Sequence, residues 1–119
     1  MPKLKSFDAT HFSFSVTPSK KILFANNKGQ KTYIKNRMDR MLSKEPETIK
    51  WINSFDKESV FFDIGANIGI YSLYSAIVKQ NLVYAFEPHA ASYKNLLESI
   101  NLNKLQNCNA HCIAMGDKL

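Results

Sequence analysis

The feature that most constrains the fold is a short apolar run followed by a glycine-containing turn, within Val60–Ser72. The run Val60–Phe62 has the composition of a strand, and helical periodicity resumes after Gly69. An acidic residue, Asp63, closes the predicted strand, and the turn contains Gly65 and Gly69. Such a strand–turn–helix unit presents bare backbone N–H groups and a helix N-terminus to a ligand. The sequence therefore predicts a nucleotide-type site here.

Two more strands are predicted downstream, Leu82–Phe86 and Cys108–Ala114, each preceded by a predicted helix. This β–α–β–α–β order implies parallel pairing with right-handed crossovers. Because Val60–Phe62 and Leu82–Phe86 are continuous apolar runs, we expect both strands to be buried on both faces. The predicted fold class is α/β: a partial Rossmann-like sheet in residues 60–119, after a lead-in of a β-hairpin and helices in residues 1–59.

The lead-in has its own periodicities. Alternation in Phe12–Val16, a turn signal, and the apolar Ile22–Phe24 predict the β-hairpin. Helical spacing then runs from Tyr33 to Leu42, and Pro46 suits the first position of a second helix.

Charge is unevenly distributed along the 119 residues, which allow one domain at most. Residues 1–59 hold twelve Lys/Arg and six Asp/Glu, whereas residues 60–119 hold four of each. The basic excess fits either a solvated face or an anionic partner. No Arg-rich helix or interleaved aromatic pattern supports the second interpretation, so no nucleic acid partner is expected.

Targeting signals and cysteine usage point to the cytoplasm. No apolar run reaches the length of about 18 residues that a membrane span needs. No apolar segment follows the start of the chain, so a secretory signal is not expected. Cys108 and Cys112 match neither a zinc pattern nor a disulfide framework, so no metal is expected and a reduced, cytoplasmic chain is predicted.

The position of Glu87 narrows the ligand class. It ends the second predicted strand, 22 residues after Gly65. An acidic residue at about this distance can accept hydrogen bonds from a ribose diol, which predicts an adenosine-containing ligand. Asp63, ahead of the glycines, would repel the pyrophosphate of NAD but suits the cationic end of S-adenosylmethionine. The sequence favours S-adenosylmethionine, with an NAD-binding enzyme as the weaker alternative.

Four segments resemble FkbM-type methyltransferases, which are class I, S-adenosylmethionine-dependent enzymes that mostly O-methylate sugars or natural products. The segments are Lys44–Ile52, Phe61–Ser72, Ala85–Pro88 and Ala114–Asp117. The resemblance covers about residues 40–119 and implies the same cofactor and a small-molecule or carbohydrate acceptor.

The resemblance also implies residue roles. Gly65, Asn67 and Gly69 would shape the loop under the methionine part of the cofactor. Asp63 would lie behind its amino group, and Glu87 would hold the ribose. Pro88 and the turn that ends at Asp117 would flank the adenine.

The chain departs from this family in extent. A class I methyltransferase has seven strands, and its later segments bring most acceptor-binding and catalytic groups. The expectation is therefore a truncated N-terminal half that is inactive alone, with the first strand of the sheet exposing a hydrophobic edge. An alternative is a non-catalytic subunit or gene fragment that pairs with a protein partner through this open edge.

No catalytic residue is assigned from the sequence. His89 follows Glu87-Pro88, and the simpler interpretation is an exposed histidine at a helix start. His111 is expected to be packed or partly exposed in the third strand. Cys108 and Cys112 have even spacing, so on one strand they would share a face, as packing residues rather than nucleophiles.

Overall fold

The elements run as three strands, two helices, and then strands alternating with helices. The computed structural model describes residues 3–7, 11–26, 31–43 and 46–117. A π-helical turn, Ser75–Lys79, directly continues the third helix. The elements are β1 (Lys3–Phe7), β2 (His11–Thr17), β3 (Lys20–Ala25), α1 (Lys31–Ser43), α2 (Pro46–Asn53), β4 (Val60–Ile64), α3 (Ile70–Tyr74), β5 (Leu82–Phe86), α4 (Ala90–Leu102) and β6 (Cys108–His111).

The predicted hairpin is confirmed. β2 pairs antiparallel with β3, and Lys20 N donates to Thr17 Oγ1 at 3.0 Å in the turn between them. A third strand that the sequence did not reveal, β1, pairs with the other edge of β2. The polar segment Asn26–Gly29, which the sequence predicts to close the hairpin, lies outside the described residues after Asn26. Pro46 opens α2 as predicted, because proline has no N–H to lose at a first helical position.

The second sheet is parallel, with strand order β4–β5–β6. Val60 is registered opposite Leu82, and Val83 opposite Cys108. The β–α–β–α–β order, the parallel pairing and the α/β fold class are therefore confirmed. Among the described strands, β4 pairs on one side only, as expected for an open edge.

Helix α4 joins the two sheets by hydrogen bonds to the outer edge of β3. Ala25 N donates to Ser99 Oγ at 2.9 Å, and Leu23 N donates to Asn103 Oδ1 at 2.9 Å. Asn103 Nδ2 and Asn95 Nδ2 donate in return to the Leu23 and Ala25 carbonyls. Polar side chains of a helix thus satisfy backbone groups that an edge strand would otherwise leave unpaired.

One hydrophobic core spans both sheets and their helices. Its fully buried members include Phe12, Phe24, Ile34, Ile52, Leu73, Val83 and Leu96. None of the helices in the described ranges has both the length and the hydropathy of a bilayer-spanning segment.

The prediction that β4 and β5 are buried on both faces is wrong. Phe61 and Val83 are buried on one face, whereas Val60, Phe62 and Ile64 on the other are 52%, 61% and 62% exposed. The cause is that no described element packs over this second face. We call this surface the apolar face and define it by Val60, Phe62, Ile64, Leu82, Tyr84 and Phe86.

The third strand is shorter than predicted, because β6 ends at His111 rather than at residue 114. Glu87 N donates to the His111 carbonyl at 3.0 Å, whereas the next amide on this side, His89 N, donates to Glu87 Oε2 instead of extending the ladder. Cys112 therefore lies beyond the strand and is exposed, while Cys108 is buried. The expectation that both cysteines share a strand face is wrong.

Candidate functional site

The glycine loop between β4 and α3 is fixed to the carboxyl end of β5. Gly65 N and Ala66 N both donate to the Phe86 carbonyl, at 2.8 and 3.0 Å, and Gly69 N donates to the Ala66 carbonyl at 2.9 Å. The prediction that this turn presents bare N–H groups is therefore wrong for these amides, which already have protein acceptors. The surface that the loop offers consists instead of its open backbone and the side chains around it.

Three residues of the loop have left-handed backbone conformations: Gly65 at φ 76°, Asn67 at φ 56° and Gly69 at φ 87°. The two glycines have different surroundings. A Cβ on Gly65 would meet no atom within 4 Å, whereas one on Gly69 would collide with the buried Leu96 side chain. Gly69 therefore permits close packing of the loop on α4, and Gly65 leaves open space above the loop.

Glu87 joins the loop to the start of α4. Asn67 N donates to Glu87 Oε1 and His89 N donates to Glu87 Oε2, each at 2.8 Å. The Glu87 side chain is buried. Two backbone amides therefore fix the carboxylate in position, and each oxygen keeps a further lone-pair direction for a ligand hydroxyl.

The Asp63 side chain connects β4 to α3 through a hydrogen bond. Ser72 Oγ donates to Asp63 Oδ2 at 2.6 Å. Burial raises the pKa of the Asp63 carboxyl above its ordinary value, and the negative charge of Glu87 adds to the rise. Hydrogen bonds from the Ser72 side chain and backbone, and the positive charge of Arg37, partly oppose that pKa rise.

Helix α1 reaches the loop from the other side. Asn67 Nδ2 donates to Tyr33 Oη at 2.6 Å, and Arg37 follows Tyr33 by one helical turn. Asn67 Oδ1 is buried and has no hydrogen-bond partner among the described residues. A buried acceptor of this kind calls for an explanation, such as a ligand or a bound water.

The structure brings five of the seven predicted cofactor-binding residues together: Asp63, Gly65, Asn67, Gly69 and Glu87. Pro88 directly follows Glu87 and is exposed, and its carbonyl accepts a 3.7 Å contact from Cys112 Sγ. Asp117 is exposed, and within the described ranges no hydrogen bond ties it to the loop.

No catalytic base is assigned among the described histidines and cysteines near the site. His89 is exposed and caps α4, where its Nδ1 accepts from Ser92 N at 3.4 Å, as the simpler interpretation predicted. His111 is exposed and stacks on Phe86. Burial, with the nearby Asp63 charge, raises the pKa of the Cys108 thiol to about 12, so this cysteine is not a thiolate nucleophile at neutral pH.

Sequence reasoning missed three residues of the site: Tyr33, Arg37 and Ser72. The sequence shows the first two only as residues at helical spacing, and Tyr33 precedes its loop partner by 34 residues. Ser72 is fully buried and lies nine residues after its partner Asp63, and no signal in the sequence indicates this contact.

A surface depression lies at the other end of the parallel strands. It is lined by Lys21, Gln80, Asn103 and Asn107, next to the starts of β5 and β6. Ligands of open parallel sheets bind beyond the carboxyl ends of the strands, so this depression is not the candidate site.

No protein-family model matches the sequence, and no curated protein matches it. Solved structures share its fold. P. horikoshii TYW2 in complex with MeSAdo aligns with a TM-score of 0.59 and 19% identity, over 96% of this chain and 40% of that one. M. jannaschii TYW2 in complex with AdoMet aligns with a TM-score of 0.53 and 22% identity, over 91% of this chain and 45% of that one. The SAM-dependent methyltransferase from Agrobacterium tumefaciens aligns with a TM-score of 0.57 and 12% identity, over 92% of this chain and 34% of that one.

This likeness establishes the fold: a methyltransferase-like α/β arrangement with a Rossmann-like parallel sheet and a small additional antiparallel sheet. The chain spans less than half the length of each of these three structures.

Proposed function

We propose that this chain forms the S-adenosylmethionine-binding part of a class I methyltransferase of FkbM type. The observation that carries the proposal is Glu87, a buried carboxylate at the carboxyl end of β5 beside the glycine loop. The amides of Asn67 and His89 fix its orientation and leave acceptor capacity for both hydroxyls of a ribose.

Other features of the site fit the same cofactor. The open space above Gly65 leaves room for a ligand against the backbone. The buried Asn67 Oδ1 lacks a partner among the described residues. In the proposed binding mode, the negative charge of Asp63 faces the ammonium group of the cofactor. Two of the similar structures contain AdoMet or MeSAdo, which supports the choice of ligand.

Bound S-adenosylmethionine supplies a methyl group on a sulfonium that an oriented nucleophile can attack. In our proposal the Glu87 carboxylate accepts hydrogen bonds from the two ribose hydroxyls, and Asp63 forms an ion pair with the ammonium group. Gly65, Asn67 and Gly69 shape the loop beneath the methionine part. Pro88 and Asp117 flank the adenine, an assignment supported by their positions after β5 and β6.

The proposed reaction is O-methylation of a hydroxyl on a sugar or a natural product. Residues 60–119 would hold the cofactor, and residues 1–59 would form the platform beside it. Within this proposal the described residues form the cofactor side, and none of them is assigned to the acceptor side. The runner-up function is a non-catalytic interaction subunit that pairs through the open edge of β4.

Isothermal titration calorimetry with S-adenosylmethionine and S-adenosylhomocysteine tests the proposal. We expect binding of both, and a loss of affinity of about tenfold or more in Glu87→Gln, because the amide brings N–H donors to a place that needs acceptors. Glu98→Gln, which removes a carboxylate that pairs with the exposed Lys94, is the matched control. A folded protein that binds neither ligand would contradict the proposal, and micromolar NADH binding by fluorescence would favour the dinucleotide alternative.

A further inference from the structure

Helix α1 places two side chains of one helix face at the glycine loop. Tyr33 and Arg37 are four residues apart and so lie on the same face. Tyr33 Oη accepts a 2.6 Å hydrogen bond from Asn67 Nδ2, and the fully buried Ile34 anchors this part of α1 in the core. This hydrogen bond therefore ties the α1 face to the loop, with the Tyr33 side chain still 39% exposed.

Arg37 brings a positive charge to this place. Its guanidinium is close enough to Asp63 to lower the pKa of that carboxyl against the effect of burial. Within the described part of the chain, however, no carboxylate lies at ion-pair distance from Arg37, and the side chain is half-buried. A guanidinium has five N–H donors in a fork that matches a carboxylate, so Arg37 has unused capacity for an anionic group.

Asp63 and Arg37 thus bring opposite charges to the same region of the loop without forming an ion pair with each other. The amino-acid end of S-adenosylmethionine carries both an ammonium and a carboxylate. Asp63 is already assigned to the ammonium group of the cofactor. The carboxylate group of the cofactor therefore needs a cationic partner nearby. Since Gly65 N, Ala66 N and Asn67 N all donate to protein acceptors, these loop amides do not supply that partner.

We propose that Arg37 binds the carboxylate of the amino-acid end of the cofactor, and that Tyr33 positions the loop for it through Asn67. The inference rests on the proposed function. It makes the lead-in part of the binding site, and it predicts a preference for adenosine ligands that carry an amino acid over those that do not.

Calorimetry with two ligands tests this inference. S-adenosylhomocysteine carries the amino-acid end, whereas 5′-methylthioadenosine lacks it. In Arg37→Gln we expect the affinity for S-adenosylhomocysteine to fall about 10- to 100-fold, because a charge-assisted hydrogen-bond pair is lost. The affinity for 5′-methylthioadenosine should change less than about twofold. Arg37→Lys should recover part of the loss, since it keeps the charge without the fork.

Lys35→Gln is the matched control, because it removes one exposed positive charge from the same helix. It should leave both affinities unchanged. If Arg37→Gln binds S-adenosylhomocysteine as well as the wild type does, or loses both ligands by the same factor, the inference is overturned while the proposed function stands. If the wild type binds neither ligand, the proposed function itself fails.

A further arm needs no variant and covers the case in which Arg37→Gln does not fold. Wild-type protein should bind decarboxylated S-adenosylhomocysteine about tenfold or more weakly than the parent ligand, because the proposed guanidinium partner is then unused. Equal affinities would overturn the inference.

Discussion

At the scale of single residues, the two glycines of the loop have separable roles. Gly65→Ala should cost about 1 kcal/mol of unfolding free energy, the cost of a left-handed alanine, because a Cβ there meets no atom. Its added methyl group should nevertheless occupy the ligand space and weaken S-adenosylhomocysteine binding. Urea unfolding and calorimetry on the same preparation measure the two effects.

Gly69→Ala is the matched comparison. It has the same backbone strain, but its Cβ also collides with Leu96, which is fully buried and has little room to move. We expect a loss of about 2–4 kcal/mol in unfolding free energy. Equal stabilities for the two variants, or unaltered ligand binding in Gly65→Ala, would contradict the assigned roles.

Asp63 should make stability depend on pH in a defined direction. Its pKa is raised in the folded state from the ordinary value of 3.8, chiefly by burial. As pH rises from about 3.8 through the raised pKa, the unfolded chain therefore loses its proton first, and the folded state loses stability. Asp63→Asn removes this effect and keeps an oxygen for the Ser72 hydroxyl.

The unfolding free energy of Asp63→Asn, relative to the wild type, should therefore increase with pH across this window and stay constant above it. Denaturant unfolding at a series of pH values measures the difference. Asp56→Asn, which removes an exposed carboxylate, is the control. A relative stability that falls with rising pH would show that the Asp63 carboxylate is stabilised, not penalised, in the folded protein.

At the scale of elements, α4 holds the antiparallel sheet through side-chain hydrogen bonds. Ser99→Ala removes the acceptor of Ala25 N and leaves a buried N–H group unpaired. The expected cost is about 1–3 kcal/mol of unfolding free energy, measured by urea denaturation. Asn101→Ala, at an exposed position of the same helix, should have a much smaller effect. Equal effects of the two substitutions would show that the Ala25 bond does not stabilise the junction.

The elements that the sequence predicted are those whose signals are local. The alternation in Phe12–Val16, the helical start at Pro46 and the β–α–β–α–β order all derive from neighbouring residues, and all are confirmed. β1 was missed because its evidence lies in pairing with β2. The predicted strand through Ala114 was too long because the end of β6 depends on the amide of His89, which donates to the Glu87 side chain rather than to β6.

The residues of the site, like the elements, were predicted where their sequence signal is local. Asp63, Gly65 and Gly69 form a local motif, and Glu87 was found by spacing along the chain. The contacts of Tyr33 and Arg37 depend on how α1 packs, which no spacing along the sequence reveals. The amides of Gly65 and Ala66 were predicted to be bare because the carbonyl that accepts them, on Phe86, is distant in sequence.

At the scale of the whole molecule, the two faces of the parallel sheet differ. α4 and the rest of the core cover one face, and the apolar face is left without a covering element among the described residues. Parallel sheets are normally covered on both faces, and the apolar composition of β4 and β5 suits burial on both. The composition of β4 and β5 is therefore suited to burial of the apolar face, which the described residues leave uncovered.

The apolar face should determine how the chain behaves in solution. Contiguous exposed apolar surface beside an unpaired strand edge favours association. We expect concentration-dependent self-association in light scattering and binding of the dye ANS, both reduced in Phe62→Lys. Because the Phe62 side chain is 61% exposed, the substitution should change the unfolding free energy by only about 0.5–1 kcal/mol. Leu97→Lys, at a partly exposed apolar position on α4, is the control and should leave association unchanged. A wild-type chain that stays monomeric and binds no ANS would contradict this expectation, and it would also exclude the interaction subunit that pairs through β4.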